Sequence, residues 1–250
     1  TKWAGLFGPF EGERMPSRIE RRSILRSPDP ALIYGPSTHS HLIPFIPALM
    51  SEAELARARR LSQAREWKPP WRLFSVGRLS PVKGFDLALR GLRRLRDLAP
   101  DIPWTYTLVG DGRSRADLHS LAQELNLEDR VSFPGALEFS EVQKHYAKAH
   151  VVIMPGTKEG WPKIIAEAWA HGAVPLAASA GIVPWIMANG GGGVFSPDPE
   201  SLASSLQRLL SDPARLESMS ETGHQLCAGM SLEAFASDVE RIVVERCGLK

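Results

Sequence analysis

From residue 72 onward, short apolar runs alternate with stretches whose apolar positions repeat every three to four residues. The runs Arg72 to Val76, Thr105 to Val109, Val131 to Phe133, Val151 to Met154, Val174 to Ala177 and Gly193 to Phe195 predict strands. Between them Phe85, Leu89 and Leu92, and later Leu202, Leu206 and Leu209, each mark the buried face of a helix. Alternating strand and helix is the mark of successive βα units. The pattern therefore predicts an α/β domain: a Rossmann-like, doubly wound parallel sheet with helices on both faces. From Pro199 the pattern is wholly helical, broken at Asp212-Pro213 and near Gly229, where Ser231 is placed to cap the last of the closing helices.

Residues 1–70 have a different texture. Prolines 9, 16, 28, 30, 36, 44 and 47 punctuate them, which predicts an irregular N-terminal segment too broken for a second complete α/β domain. Its one clear helix runs from Ser51 to Trp67, because Ser51-Glu-Ala-Glu54 is a capping box and Arg57, Arg59 and Arg60 form a polar face. Pro69-Pro70 then reads as a linker, dividing the chain into residues 1–70 and 71–250. His39 and His41 share a side of an extended strand but lack a third ligand, so they predict no metal site. The arginine-rich stretch from Arg14 to Arg26 reads as a solvated helix face.

A formal charge of only +2 gives no general attraction to nucleic acid. Two cysteines, Cys227 and Cys247, fit a reducing compartment and offer no metal cluster. No apolar run approaches the ~20 residues of a membrane span, and the start Thr1-Lys-Trp-Ala-Gly5 lacks a signal-peptide layout. A cytoplasmic location is expected, and a start without Met suggests a piece of a longer chain.

The densest candidate chemistry is Lys158-Glu-Gly-Trp-Pro-Lys-Ile-Ile-Ala-Glu167, directly after the apolar run Val151 to Met154. Pro162 suits a helix start, so Lys163 to His171 should form a helix, with Glu159 at the mouth of the sheet and Glu167 in the helix's second turn. Parallel sheets bind ligands at the carboxyl ends of their strands, beside helix N-termini that favour anions. Two carboxylates next to an anion cradle suggest a phosphorylated, hydroxyl-rich ligand. Arg78 and Lys83, in Gly77-Arg-Leu-Ser-Pro-Val-Lys-Gly84, follow the first strand of this region and are spaced either to meet an anion or to lie on the surface. Gly110-Asp-Gly112 is a turn with or without a ligand, and no third glycine completes a dinucleotide fingerprint.

Taken in order, Val76-Gly-Arg-Leu79 with Lys83-Gly84, Leu108-Val-Gly-Asp-Gly112, Val131-Ser-Phe-Pro-Gly135, the two-glutamate stretch from Pro155 to Gly172 and Val174-Pro-Leu-Ala177 resemble the C-terminal, donor-binding domain of GT-B glycosyltransferases of the retaining family 4 group. The resemblance covers residues 72 to about 196 well and the closing helices more loosely. It implies transfer of a hexose from a nucleotide-diphosphate sugar, most plausibly UDP-linked, to a polysaccharide or glycolipid acceptor, without a metal. A peripheral position at the inner face of the membrane is compatible with such acceptors.

The resemblance places Arg78 and Lys83 on the donor diphosphate, and Glu167 on the ribose hydroxyls, as an acceptor-only carboxylate suits. Glu159 is expected beside the donor sugar as a catalytic residue, either positioning the sugar and supporting positive charge at its anomeric carbon or acting as a nucleophile, and the backbone of Gly160, Trp161, Pro162, Lys163 and Ile164 around sugar and phosphates. Gly77 and Gly110 are expected near the donor, and the base against Phe133 to Leu137, that is Pro134, Gly135, Ala136 and Leu137. Lys158 and Lys163 serve equally well to hold phosphate or to neutralise the turn. The chain departs from the family where Pro184-Trp185 replaces a Pro-Glu pair and in the loose run Gly190 to Gly193. Residues 1–70 are too short for the family's N-terminal acceptor domain and read as its end and the crossover. Two further readings follow: a nucleotide-sugar-binding module acting only with a separate N-terminal-half partner chain, or an interaction protein whose charged residues do not converge.

Overall fold

The computed structural model describes residues 2–4, 31–34, 42–45 and 50–247. The first three groups are short strands, β1 (Lys2–Ala4), β2 (Ala31–Tyr34) and β3 (Leu42–Phe45), paired in parallel as a sheet of their own. Proline punctuation had predicted irregular backbone there; β1 and β2 avoid the prolines, whereas β3 takes Pro44 into its third position. The arginine-rich stretch and both histidines at 39 and 41 lie outside the described residues. Helix α1 (Glu52–Ser62) starts as expected, with Ser51 Oγ accepting from Glu54 N–H and the Glu54 carboxylate from Ser51 N–H.

The main sheet is built from β4 (Trp71–Val76), β5 (Trp104–Val109), β6 (Val131–Gly135), β7 (Val151–Met154), β8 (Val174–Ala178) and β9 (Gly193–Phe195). All pairs are parallel, in the order β6-β5-β4-β7-β8-β9. β7 and β8 are buried at every position, as strands covered on both faces must be, while the edge strand β6 alternates. The intervening helices are α2 (Phe85–Leu98), α3 (Arg115–Glu124), α4 (Phe139–Lys148), α5 (Lys163–Ala170) and α6 (Val183–Met187). The tail is α7 (Pro199–Leu210), α8 (Pro213–Ala228) and α9 (Leu232–Cys247). Asp198 and Asp212 cap α7 and α8, and Ser231 Oγ accepts from Ala234 N–H at 2.9 Å.

Before the Pro69-Pro70 link, Arg65 ties the crossover to the domain without a carboxylate. Its buried guanidinium donates to the carbonyls of Tyr146 and Ala147 at the end of α4, and of His171 and Gly172 at the end of α5. The last carbonyls of a helix have no intrahelical partner and carry the negative end of its dipole, so one cation satisfies two helix ends.

His150 is fully buried beside this link, and its Nδ1 accepts from Arg72 N–H at 2.9 Å while Nε2 lies 2.9 Å from the Glu66 carbonyl. That geometry needs a neutral imidazole, and burial pushes its pKa down to about 4. Burial likewise lowers His224 to about 4 and lowers His171. The unfolded chain takes up the His150 and His224 protons near pH 6.5, whereas the native state resists until about pH 4. Stability is therefore expected to fall as pH drops from about 6.5 to 4, with His150 alone contributing on the order of 3 kcal/mol. Urea midpoints at pH 7, 5.5 and 4.5 check this, and a midpoint unchanged over that window contradicts it.

Candidate functional site

From β4 the chain winds outward through β5 and β6, then crosses back to β7 beside β4 and winds the other way through β8 and β9. Such a reversal leaves a crevice outside the carboxyl ends of the two strands that flank it. Here an open cleft of about 360 Å³ fills it. Gly77, Lys83 and Phe85 wall it from the β4 side, and Pro155, Gly156, Glu159, Trp161 to Ile164 and Glu167 from the β7 side.

Each wall is a consequence of local sequence. Pro81–Lys83 makes a tight 3₁₀ turn, ended by Gly84 in the left-handed region at φ 65°. A Cβ on Gly84 would stand 3.0 Å from the Pro155 carbonyl oxygen, so glycine lets the two loops meet. Both α2 and α5 begin without a side-chain cap, which leaves first-turn N–H groups for a ligand or water. Pro162 occupies the N-cap position of α5, one residue earlier than the helix proper.

Across the cleft mouth Lys83 Nζ donates to Glu159 Oε1 at 2.5 Å, with both side chains mostly sheltered. An ammonium has three donors, so one bond to Glu159 leaves two for an incoming anion. Glu167, half-buried on α5, accepts from the Tyr146 hydroxyl at 2.6 Å through Oε2. Lys83, Glu159 and Glu167 are thus brought to one cleft, as are Gly77, Trp161, Pro162, Lys163 and Ile164. Gly160 is exposed in the turn between Glu159 and Trp161.

Arg78 follows the same strand as Gly77 but is exposed and forms no part of the cleft wall. Gly110 also stands behind the wall, with Gly77 N–H donating to the Val109 carbonyl and Gly110 N–H to the Gly135 carbonyl. Pro134 and Ala136 are exposed beyond it at the end of β6, and Gly135 is buried. Half-buried Leu137 joins Val76 and Ile164 against one apolar cluster, which connects that segment to the cleft.

Trp169 is core, its Nε1 donating to the Gly191 carbonyl at 2.6 Å. The glycine run is explained by the same packing: Cβ atoms at Gly191 and Gly192 would stand 2.9 Å from Trp169 Nε1 and 2.6 Å from Met187 Sδ. Cys227 is a buried free thiol pushed up to about 12 by burial, hence inert. Among the described residues no three His, Cys, Asp or Glu side chains group as metal ligands, and no helix is long and apolar enough to cross a membrane.

A larger opening, about 490 Å³, lies between the Ser80–Pro81 turn, α2 and α3. Asp86, Asp117 and Glu124 face Arg90 there, a balance that repels anions. Sequence reasoning missed Tyr146, which sits four residues after Val142 like any core residue, and it read Phe85 only as helix core although it also lines the cleft.

The family described as glycosyl transferases group 1 matches residues 59–226. The chain belongs to that family. Among curated relatives of this group 1 chain, the lipopolysaccharide core biosynthesis glycosyltransferase LpsE of Rhizobium meliloti is 28% identical over 63% of this chain and 44% of its own length. The D-inositol 3-phosphate glycosyltransferase of Kineococcus radiotolerans is 30% identical over 87% of this chain and 53% of its own. The chain thus spans about half the length of these relatives, or less. Among solved structures, Anabaena HepE in complex with UDP superposes with a TM-score of 0.75 at 16% identity, over 97% of this chain and 71% of that one. Sucrose-phosphate synthase from Thermosynechococcus elongatus does so with 0.71 at 22% identity, over 96% and 64%. At such identities these two superpositions speak for the GT-B type of fold in this group 1 domain.

Proposed function

We propose that this chain is the donor-binding half of a retaining, family 4 type glycosyltransferase, moving a hexose from a UDP-linked donor to a polysaccharide or glycolipid acceptor. The observation that carries the reading is the meeting of Lys83, Glu159, Glu167 and two uncapped helix starts in one cleft at the sheet's reversal point. Lys83 and the N–H groups neutralise the diphosphate and the charge that grows on it as its bond to the sugar's anomeric carbon breaks. Glu159 supports the positive charge developing at that carbon, and Glu167 accepts from the ribose hydroxyls. Arg78, on the exposed rim, reaches the outer phosphate once donor is bound. The base lies toward Pro134 to Leu137. UDP is favoured because solved relatives of this fold carry it in their complexes, HepE among them.

Residues 1–70 then belong to the end of an acceptor-binding domain and the crossover from it, and residues 71–250 to the donor domain. The cleft is walled entirely by residues between 76 and 167, which supports a second reading. In that reading, the chain binds nucleotide sugar and turns it over only with a separate acceptor-binding half, at the cytoplasmic face of a membrane. Glycosidic product from this chain and a broad acceptor mixture eliminates the second reading.

Calorimetric titration with UDP, GDP and ADP in chelator tests the site itself. UDP is expected to bind selectively and without metal, because the phosphates' charge is met by Lys83 and helix N-termini. Lys83→Ala and Glu167→Ala are each expected to weaken UDP by about 1 to 3 kcal/mol, the range for hydrogen bonds to charged groups. Unchanged affinity in both variants, or binding lost in chelator, overturns the assignment.

A further inference from the structure

Glu167 is held from behind by a group that the donor-site reading leaves without a role. Tyr146 is 1% exposed, yet its hydroxyl reaches Glu167 Oε2 at 2.6 Å. The ring is fixed on two sides. Phe74 packs edge-on at 5.0 Å between centroids, and His171 stacks at 5.4 Å with 19° between planes. The two helices that carry the pair are fixed as well, since Arg65 grips the carbonyl ends of both α4 and α5. His171 Nδ1 lies 2.9 Å from the Glu167 carbonyl oxygen, which ties the stacking partner to the backbone of the residue being held.

A glutamate carboxylate hangs on three rotatable bonds, and ordering it only when a ligand arrives costs side-chain entropy. A buried phenol beside it removes most of that freedom beforehand. It also takes one of the roughly four lone-pair positions on the two oxygens, leaving the others for the cleft. Burial first, and then the charge of Glu167 itself, raise the phenol's pKa well above its ordinary range, so it remains a donor at any working pH.

We propose that Tyr146 is a positioning residue that fixes the Glu167 carboxylate for the ribose hydroxyls of a nucleotide donor. The proposal rests on the reading of Glu167 as the ribose acceptor. An aromatic core residue that merely found an acceptor for its hydroxyl predicts something different, namely lost stability without any effect that depends on the ribose.

The test titrates the full chain, its Tyr146→Phe and Glu167→Ala variants and the double variant with UDP and with 2′-deoxy-UDP, with near-ultraviolet circular dichroism to verify folding. The wild-type chain is expected to prefer UDP. Tyr146→Phe keeps the ring and its packing and is expected to weaken UDP about tenfold, the scale of one hydrogen bond. It should weaken 2′-deoxy-UDP less, because one of the two hydroxyls that Glu167 serves is already missing, so that discrimination shrinks. In the Glu167→Ala background the same substitution should cost nothing further, because the group it positions is gone.

Equal weakening of both ligands, or full additivity with Glu167→Ala, makes Tyr146 structural only and overturns the proposal. So does a folded Tyr146→Phe that discriminates like wild type. If Tyr146→Phe does not fold, Glu167→Asp serves instead: it keeps the charge but withdraws it one methylene from the phenol, and discrimination retained there overturns the proposal too. Failure of the underlying reading is recognised separately. A wild-type chain that does not bind UDP, or binds it unaffected by Glu167→Ala, overturns both.

Discussion

Glu159→Gln is expected to bind UDP at least as tightly as the parent chain while losing the extra affinity that a donor hexose adds. Where transfer is assayed, turnover should fall by ~10²-fold or more, the scale seen when a group facing transition-state charge is removed. The reasoning starts from the ion pair. Glu159 Oε1 engages Lys83 Nζ at 2.5 Å in a sheltered cleft, so the carboxylate offsets part of the charge that a diphosphate would meet. An amide of the same shape leaves the lysine in place with its full charge directed at the phosphates, and UDP affinity holds or rises. The same amide carries no charge for the anomeric carbon and is a weaker acceptor for sugar hydroxyls. Titrations with UDP and a panel of UDP-hexoses measure the first two effects without requiring turnover. UDP affinity falling as in Lys83→Ala would instead make Glu159 a device for orienting Lys83, and its place beside the donor sugar would be lost.

The pairing also explains how such a cleft persists before a ligand arrives. A half-buried charge without a partner is costly. Lys83 and Glu159 compensate each other across two loops that meet only because the sheet reverses between β4 and β7. The donor then enters a site whose cation is already in position.

The resemblance implied that both residues serve one donor, but local pattern alone does not show that they meet. The strands were legible because parallel, doubly covered strands must be apolar throughout, and β7 and β8 are buried along their whole length. The helix caps at Ser51 and Ser231 were legible because each has a local partner three residues on. The two-glutamate stretch was legible as chemistry because it follows a strand and opens a helix. Strand order was not, since short apolar runs do not encode their neighbours. Nor was the ion pair 76 positions apart in sequence. Arg65 reads as one more arginine on the polar face that holds Arg57, Arg59 and Arg60, yet its half-buried side chain donates to four carbonyls from residues more than 80 positions away. The run Gly190 to Gly193 read as looseness, whereas two of its glycines are packed against Trp169, Met187 and the Pro175 carbonyl. In each case long-range packing assigns the meaning, and local pattern carries no trace of it.

Gly110→Ala is expected to destabilise the chain by about 3 kcal/mol or more, adding backbone strain to a steric clash. Gly110 follows β5 with φ 138°, a conformation that L side chains rarely adopt. A Cβ built there stands 1.9 Å from the Gly77 carbonyl oxygen, inside any contact distance, and that oxygen belongs to backbone that cannot rotate away. The Gly77 backbone is itself tied to β5, because its N–H donates to the Val109 carbonyl at 3.0 Å. Relief therefore requires the loop after β4 to move. That loop walls the cleft with Gly77 and carries Lys83, so the substitution should also weaken UDP binding without touching a ligand-facing side chain. Gly190→Ala supplies the control. Gly190 has φ 88° but nothing within 4 Å of a built Cβ, so strain acts alone and the cost should be about 1 kcal/mol. Urea denaturation of both variants compares the two terms, and equal losses would mean that the approach of Gly77 to Gly110 does not hold the loop in place.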